Sequence, residues 1–531
     1  MLYVNKYTWF VKLFLALFVL LFSTHVFAQT DTEFWFSIPE FNRYHQSGTV
    51  ANPCNDGTPT RLRITTLKDP ATVKISMPAN GTFVPIERNL PANHTEVVDL
   101  YSGISDLVVT SATSMENRLL WTSSSTTAAN PYINKNNKGL LIQSDNYITV
   151  YYEIGAINNK DLLTLKGRNA LGERFVVPFQ TDSEISNGYN YTLRPYGSFD
   201  IVATHDNTHV QIKVPQQIFV FNDAGGKTFL NAGTHDIWLN RGETAIIAPY
   251  DGSKAGLYKT SNANKLAGST VSVIQNDAST TKKVAVLTKE DMVSSPGSVD
   301  YVADQLVPVN HLGTAYAIIK GYAQNNATSL TYEHFYIVGT AAATNVQVVF
   351  SDGVTTVGAP LNYILNEGQS QSVTIPFNAT VATVKSDVGK PVAIFHQSGV
   401  GTQFAGAIIP TISVCTGSSS VAFNRTMAAN SQACPLNPGT TSTGHFDFYL
   451  NILVYNGAET GFRLLKNGVD VTATELPQLL PANAPTHFKP LPGATAPFTT
   501  YRFARIKADN ILKNEAYRLV NDINVFHLGI I

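Results

Sequence analysis

RLRITTLKDPATVKI (Arg61–Ile75), SFDIVATHDNTHVQI (Ser198–Ile212), EHFYIVGTAAATNVQV (Glu333–Val348) and YLNILVYNGAETGFRLL (Tyr449–Leu465) repeat one design. Each is an apolar strand, a short polar turn, then a strand in which apolar and polar residues alternate. That period-two pattern belongs to a half-buried β-strand. With Val73, Val210 and Val346 taken as equivalent, the copies lie 137 and 136 residues apart. So constant a period over that distance marks an internally duplicated β-protein rather than one large enzyme core.

Around these stretches the same signals recur. Strands such as Tyr147–Tyr152, Lys283–Leu287 and Val392–Phe395 are rich in β-branched and aromatic residues. Asn80-Gly81, Asp251-Gly252, Asp352-Gly353 and Asn467-Gly468 punctuate them as turns. Helical periodicity is almost absent. The chain therefore reads as all-β, a tandem of β-sandwich-like modules with an internal repeat of about 137 residues. Two further elements repeat downstream. A Leu-led turn and strand reads LPANHTEVVDL (Leu90–Leu100), LNAGTHDIWL (Leu230–Leu239) and LNEGQSQSVTIP (Leu365–Pro376). A Leu-Gly turn opens the next module in ALGERFVVPF (Ala170–Phe179) and HLGTAYAIIKG (His311–Gly321). Modules are expected at 29–172, 173–313, 314–420 and 421–531, the last shortened or truncated.

The chain has 531 residues, of which 14% are charged, against about 25% in an average domain. Its net charge is −1, which leaves no basic field for nucleic acid. The first 28 residues read as a secretory signal peptide. Lys6 and Lys12 precede the apolar run Leu13–Phe22, and Val26-Phe27-Ala28 offers a cleavage site before Gln29. The run is shorter than the roughly 20 residues that span a bilayer. An exported protein with no transmembrane segment in the mature chain is expected, extracellular or on the outer cell surface. Export permits disulfides. Cys415 and Cys434 bracket a polar loop and form the natural pair, with Cys54 left over; the alternative is three unpaired thiols.

DYVADQLVPVNHLGTAYAI (Asp300–Ile318), SDVGKPVAIFHQSG (Ser386–Gly399) and TEFWFSIPE (Thr32–Glu40) resemble the IgG-Fc-binding protein N-terminal domain family. The similarity is greatest to its versions in exported surface proteins of Bacteroidetes-type bacteria. That resemblance implies a module that precedes immunoglobulin-like repeats and a C-terminal sorting domain. Here the sequence stops at Ile531 without a sorting tail, and no residue can be matched to an Fc contact.

No constellation of catalytic residues stands out. His205 and His209 straddle a turn and do not share the face of a helix, as a zinc pair would. Glu290 and Asp291 are neighbours in a strand and so point to opposite faces, unlike the paired carboxylates of a glycosidase. Ser398 lacks the glycines of a nucleophile elbow, and Gly226-Lys227-Thr228 lacks the rest of a phosphate loop. No enzyme activity and no cofactor are expected. Tyrosines flank the first module boundary: Tyr151, Tyr152, Tyr189, Tyr191 and Tyr196. As exposed aromatics they would form a binding surface; as strand residues they would pack within sheets. The expected function is adhesion or ligand binding through loops of a repeated scaffold, the ligand being a protein or a glycan. A structural spacer is the alternative, and a carbohydrate-active enzyme the second.

Overall fold

The computed structural model describes residues 30–39, 61–99, 134–154, 161–183, 196–221, 227–250, 265–276, 280–295, 298–323, 333–401, 403–413, 416–425, 447–512 and 515–531. Over these the chain is nearly all β-strand, arranged as four two-sheet sandwiches. The expected signal peptide, residues 1–28, lies outside the described residues, as do Cys54, Cys415 and Cys434. No helix among the described residues is long and apolar enough to cross a membrane.

The repeated stretch explains the two layers. Its first strand is Arg61–Thr66, Gly197–Ala203, His334–Gly339 or Tyr449–Tyr455, here called the lead strand. The second is Ala71–Ser76, Thr208–Val214, Thr344–Ser351 or Phe462–Lys466. The two never pair with each other. The polar turn between them carries the chain from one sheet to the opposite one, and each strand finds its partners there. In the third sandwich the lead sheet includes Ser370–Thr374, His334–Gly339, Val392–Gly401 and Gln403–Ile408 in that order. The facing sheet runs Thr356–Leu365, Thr344–Ser351, Val381–Ser386 and Ala315–Ile319. The second sandwich uses the same two orders. In the first, a single 16-residue strand, Gly139–Ile154, serves both sheets. Its first part pairs with Asp31–Ser37 and Ala71–Ser76, its later part with Arg61–Thr66 and Asp161–Thr164. Where it passes between the layers, Gln143 to Tyr147 is polar and mostly exposed.

Burial follows the alternation in the second strands, whose apolar residues (Val73 and Ile75, Val210 and Ile212, Val346 and Val348) line the sandwich cores. The lead strands are buried on both faces. One face meets its own core; the other is covered by the neighbouring sandwich. Trp35 and Leu141 of the first sandwich pack on Val202 and Ala285 of the second. Val176 of the second packs on Val338 and Ala393 of the third. Ala315 and Val381 of the third meet Leu453, Phe498, Tyr501 and Phe503 of the fourth. The second and third sandwiches also touch through two turn glycines. A Cβ on Gly268 (φ +83) would stand 1.7 Å from the carbonyl oxygen of Gly368, so no side chain fits.

The fourth sandwich also meets the first, which closes the series on itself. This last seam is polar. The Tyr151 hydroxyl donates to the Ala422 carbonyl at 2.6 Å, and Asn424 Nδ2 donates to Thr95 Oγ1 at 3.1 Å.

Candidate functional site

The lead strands run the same way relative to their sandwiches, so their ends define two ends of the scaffold. At one end the lead strands pass into their short turns, residues 67–70, 204–207, 340–343 and 456–461. At the other, long connections enter them: 40–60 before Arg61, 184–195 before Gly197, 324–332 before His334 and 426–446 before Tyr449. Connections 100–133 and 251–264 also leave from this end, because Asp99 pairs with Arg61 and Ile247 with Phe199. Long connections on a rigid scaffold are where binding residues concentrate. This end is the candidate site.

Buried ions hold the bases of these connections. Lys265 follows 251–264 directly. Its Nζ lies 2.8 Å from Glu290 Oε1 and donates to the carbonyls of Gln180 and Ser183, each at 2.9 Å. Ser183 is the residue from which 184–195 departs, so one ammonium ties two connections together. Glu290 also accepts from the Gln180 backbone N–H at 2.9 Å and from its amide Nε2 at 3.1 Å. Burial raises the Glu290 pKa above its ordinary value, and the Lys265 charge works against that rise.

In the third sandwich the wholly buried Glu333 does the equivalent work. It accepts backbone N–H bonds from Gly321 at 2.7 Å and Ala323 at 3.1 Å, and a bond from Ser398 Oγ at 3.2 Å. His396 Nε2 lies 3.2 Å from it. Ala323 and Glu333 are the two feet of 324–332. In the fourth, Arg425 Nη1 donates to the carbonyls of Asp509 and Ile511 at 2.8 and 3.0 Å, and its guanidinium lies over Phe448. Arg425 and Phe448 stand on either side of 426–446. Next to them Asp447 binds Lys507 at 2.9 Å and accepts from the Tyr449 hydroxyl at 2.9 Å. Those two partners hold the Asp447 carboxyl below its usual range. Burial, with Asp447 second, pushes the Tyr449 hydroxyl up to about 12. Tyr449 stacks on Tyr322 at 3.5 Å, with the Arg505 guanidinium 4.2 Å from the Tyr322 ring centre. The first sandwich carries the buried pair Arg63–Glu153 at 2.5 Å. The buried pairs Lys265–Glu290 and Arg63–Glu153 are costly to desolvate and stable only while both members remain, which suits groups that fix geometry.

Several residues singled out in the sequence fall elsewhere. Tyr151 and Tyr152 are buried, the first at the seam with the fourth sandwich, the second against Phe36 at 4.9 Å. Tyr196 is 3% exposed, with the Lys289 ammonium 3.4 Å from its ring centre. Of the two readings of these tyrosines, packing holds for these three: a second layer or a neighbouring sandwich covers their face. Tyr189 and Tyr191 lie in 184–195, outside the described residues. His205 bonds Thr204, whereas His209 bonds Asp236 at 2.9 Å and stacks on Trp238, so the two histidines are not brought to one point. Ser398 is engaged by Glu333. No group of three or more His, Cys, Asp or Glu among the described residues could hold a metal ion. The residues that sequence reasoning missed are Lys265, Glu333 and Arg425. Their one signal was a charge flanking or inside an apolar strand of a chain poor in charge.

Residues 162–349 match the family described as IgGFc binding protein. The match covers roughly a third of the chain, from the last strand of the first sandwich to the second strand of the third. The resemblance stated above therefore holds over this stretch, which contains Asp300–Ile318; the other two segments that carried it lie outside the match. No curated protein matches the chain.

Proposed function

We propose that this chain is an exported, non-catalytic binding protein that holds a protein ligand at the loop-bearing end of its sandwiches. The observation that carries the reading is the family match over 162–349, the stretch that supplies the connections 184–195 and 251–264 with their shared Lys265 clamp. A family of binding domains supports ligand binding as the role, and clamped loop bases support it physically: rigid feet lower the ordering cost that binding would otherwise incur. Weak contacts on several sandwiches would add as avidity if the ligand reaches more than one. Adhesion at an outer cell surface follows as the biological setting.

The test is binding of the mature chain, Gln29–Ile531, to immobilised immunoglobulin, mucins and a glycan array. Saturable binding to a protein supports the proposal. Binding to protein-free glycans alone transfers the role to carbohydrate recognition. A folded chain that binds nothing makes it a spacer.

A further inference from the structure

Three sandwiches meet at the carboxylate of Asp304. Asp304 lies in Ser298–Gln305, at one end of the strand order in the lead sheet of the second sandwich. Its Oδ1 accepts from the Lys166 ammonium of the first sandwich at 2.5 Å and from the Gln305 backbone N–H at 2.7 Å. Its Oδ2 accepts the backbone N–H of Ile408, in the third sandwich, at 2.7 Å. Lys166 Nζ also donates to the Gln305 carbonyl at 2.6 Å. The Lys166 side chain is 15% exposed and that of Asp304 7%.

Backbone bonds on both sides fix the two partners. The Leu165 N–H donates to the Val150 carbonyl at 3.0 Å, and the Lys166 N–H to Gln305 Oε1 at 2.8 Å. Across the contact, Gln305 Nε2 donates to the Trp35 carbonyl and the Leu306 N–H to the Val286 carbonyl, each at 2.8 Å. Lys166 Nζ therefore stands no more than one C–O bond farther from Asp304 Cγ than from Oδ1. Groups held at such range react as one body, because the entropy of their encounter was already lost on folding.

A second buried acid stands beside the pair. Asp161–Thr164 packs against Ser298–Gln305, and Asp161 is buried there. Its Oδ1 accepts the Leu162 N–H at 2.7 Å, whereas its buried Oδ2 has no hydrogen-bond partner among the described residues. Burial raises the Asp161 pKa well above the ordinary value; the charges of Asp304 and Asp300 add to the rise, and the Leu162 N–H works against it. Burial raises Asp304 as well, against the pull of Lys166. The Lys265–Glu290 pair faces the neutral Gln180 amide instead.

We propose that Lys166 and Asp304 condense into an intramolecular amide that joins the first sandwich to the second. Lys166 passes one ammonium proton to Oδ1, and the freed amine attacks Cγ. The Nζ–Cγ bond forms, the Cγ–Oδ1 bond breaks, and Oδ1 leaves as water with two of the three ammonium protons. The ion pair and the products hold the same atoms and the same charge, so no co-reactant is needed. The Ile408 N–H holds Oδ2, where negative charge develops in the tetrahedral intermediate. Asp161 acts through Asp304, as a positioning residue that keeps a second proton in the buried site. The step happens once, on the chain's own side chains, and turns over no outside substrate. The bond closes residues 167–303, nearly all of the second sandwich, in a covalent loop. Tension between the two ends of the chain then runs through the amide and bypasses connections 184–195 and 251–264. That use rests on the surface role proposed above; the bond itself depends on no ligand.

The test is mass spectrometry of the mature chain, shown to be folded, then reduced and digested with trypsin. Residues 161–168 and 290–320 are expected in one branched peptide, uncut after Lys166 and lighter by one water than the two sequences together. Lys166→Arg keeps the charge opposite Asp304 but cannot condense, so it releases 161–166 and 290–320 separately. Asp161→Asn should slow the appearance of the branched peptide after refolding at least tenfold and flatten the pH profile of that rate. An unchanged rate and profile would overturn the part given to Asp161. Two results overturn the amide itself: separate peptides 161–166 and 290–320 at their sequence masses from the folded parent chain, or a water lost within 290–320 alone, the mark of a cyclic imide at Asp304.

Discussion

The two ends of the sandwiches are held by opposite means. At the short-turn end the arch carbonyls are capped from outside by side chains at the solvent boundary: Asn146 donates to Pro70, Lys282 to Asn207, and Lys390 to Ala342 and Ala343, all within 2.9 Å. At the loop-bearing end the clamps are ions withdrawn from water, with Lys265, Glu290 and Glu333 all at or below 9% exposure. A four-residue turn needs little help, because its geometry is local. The longer connections are met at their feet by charges whose position is enforced by burial. Buried charge thus sits where the connections between strands are longest.

The difference can be broken from either side. Lys265→Met should have the largest effect, destabilising by about 3–5 kcal/mol because Glu290 is left buried and unpaired. Chemical denaturation measures it, and Lys265→Met with Glu290→Gln should recover a substantial part of the loss. Arg425→Met removes two charge-assisted bonds to backbone and should cost about 1.5–3 kcal/mol by the same measurement. The Lys390→Ala change at the opposite end should stay within about 0.5 kcal/mol, since its bonds to Ala342 and Ala343 lie at the solvent boundary and water replaces them.

Acid sharpens the contrast in another way. Burial holds the His527 imidazole, near the short-turn end and 3.4 Å from Thr416 Oγ1, at about 4. Its folded pKa lies below the unfolded value of about 6.5, so the unfolded chain takes up the proton first as pH falls. Stability is fully present above that value and declines between about 6.5 and 4. Glu290 has the opposite sign, because its raised pKa favours the folded state as pH falls through the carboxylate range. Thermal midpoints across pH 7 to 4 should therefore fall less in His527→Phe than in the parent chain.

Much of the fold was legible because alternation records burial directly. Val73, Val210 and Val346 were readable as core positions, and the turn before each as a break. What alternation could not show is that the polar turn crosses between sheets, or that a second sandwich covers the outer face of each lead strand. Tyr151 and Tyr196 stayed open between surface and packing for that reason: a tyrosine on a covered face and one on an open face have the same sequence context. The third repeat lacks the Leu-Gly turn, yet Ser418 makes the same two backbone bonds as Gly172, an equivalence that side-chain pattern cannot carry. Candidate-site residues were harder still. Glu290 was noticed for its neighbour Asp291, whereas its partner Lys265 lies 25 positions away across a connection.

The most direct test of the account exchanges one element at each end of the same sandwich. Residues 185–194 are replaced by a Gly/Ser linker in one variant, and the turn His205-Asp206-Asn207 by Ala-Asn-Gly in another. Both are assayed against whichever protein the mature chain captures from the immunoglobulin and mucin panel. The account predicts at least a tenfold loss of affinity in the first and unchanged binding in the second, with both variants folded. Unchanged binding in the first, or loss confined to the second, would contradict it.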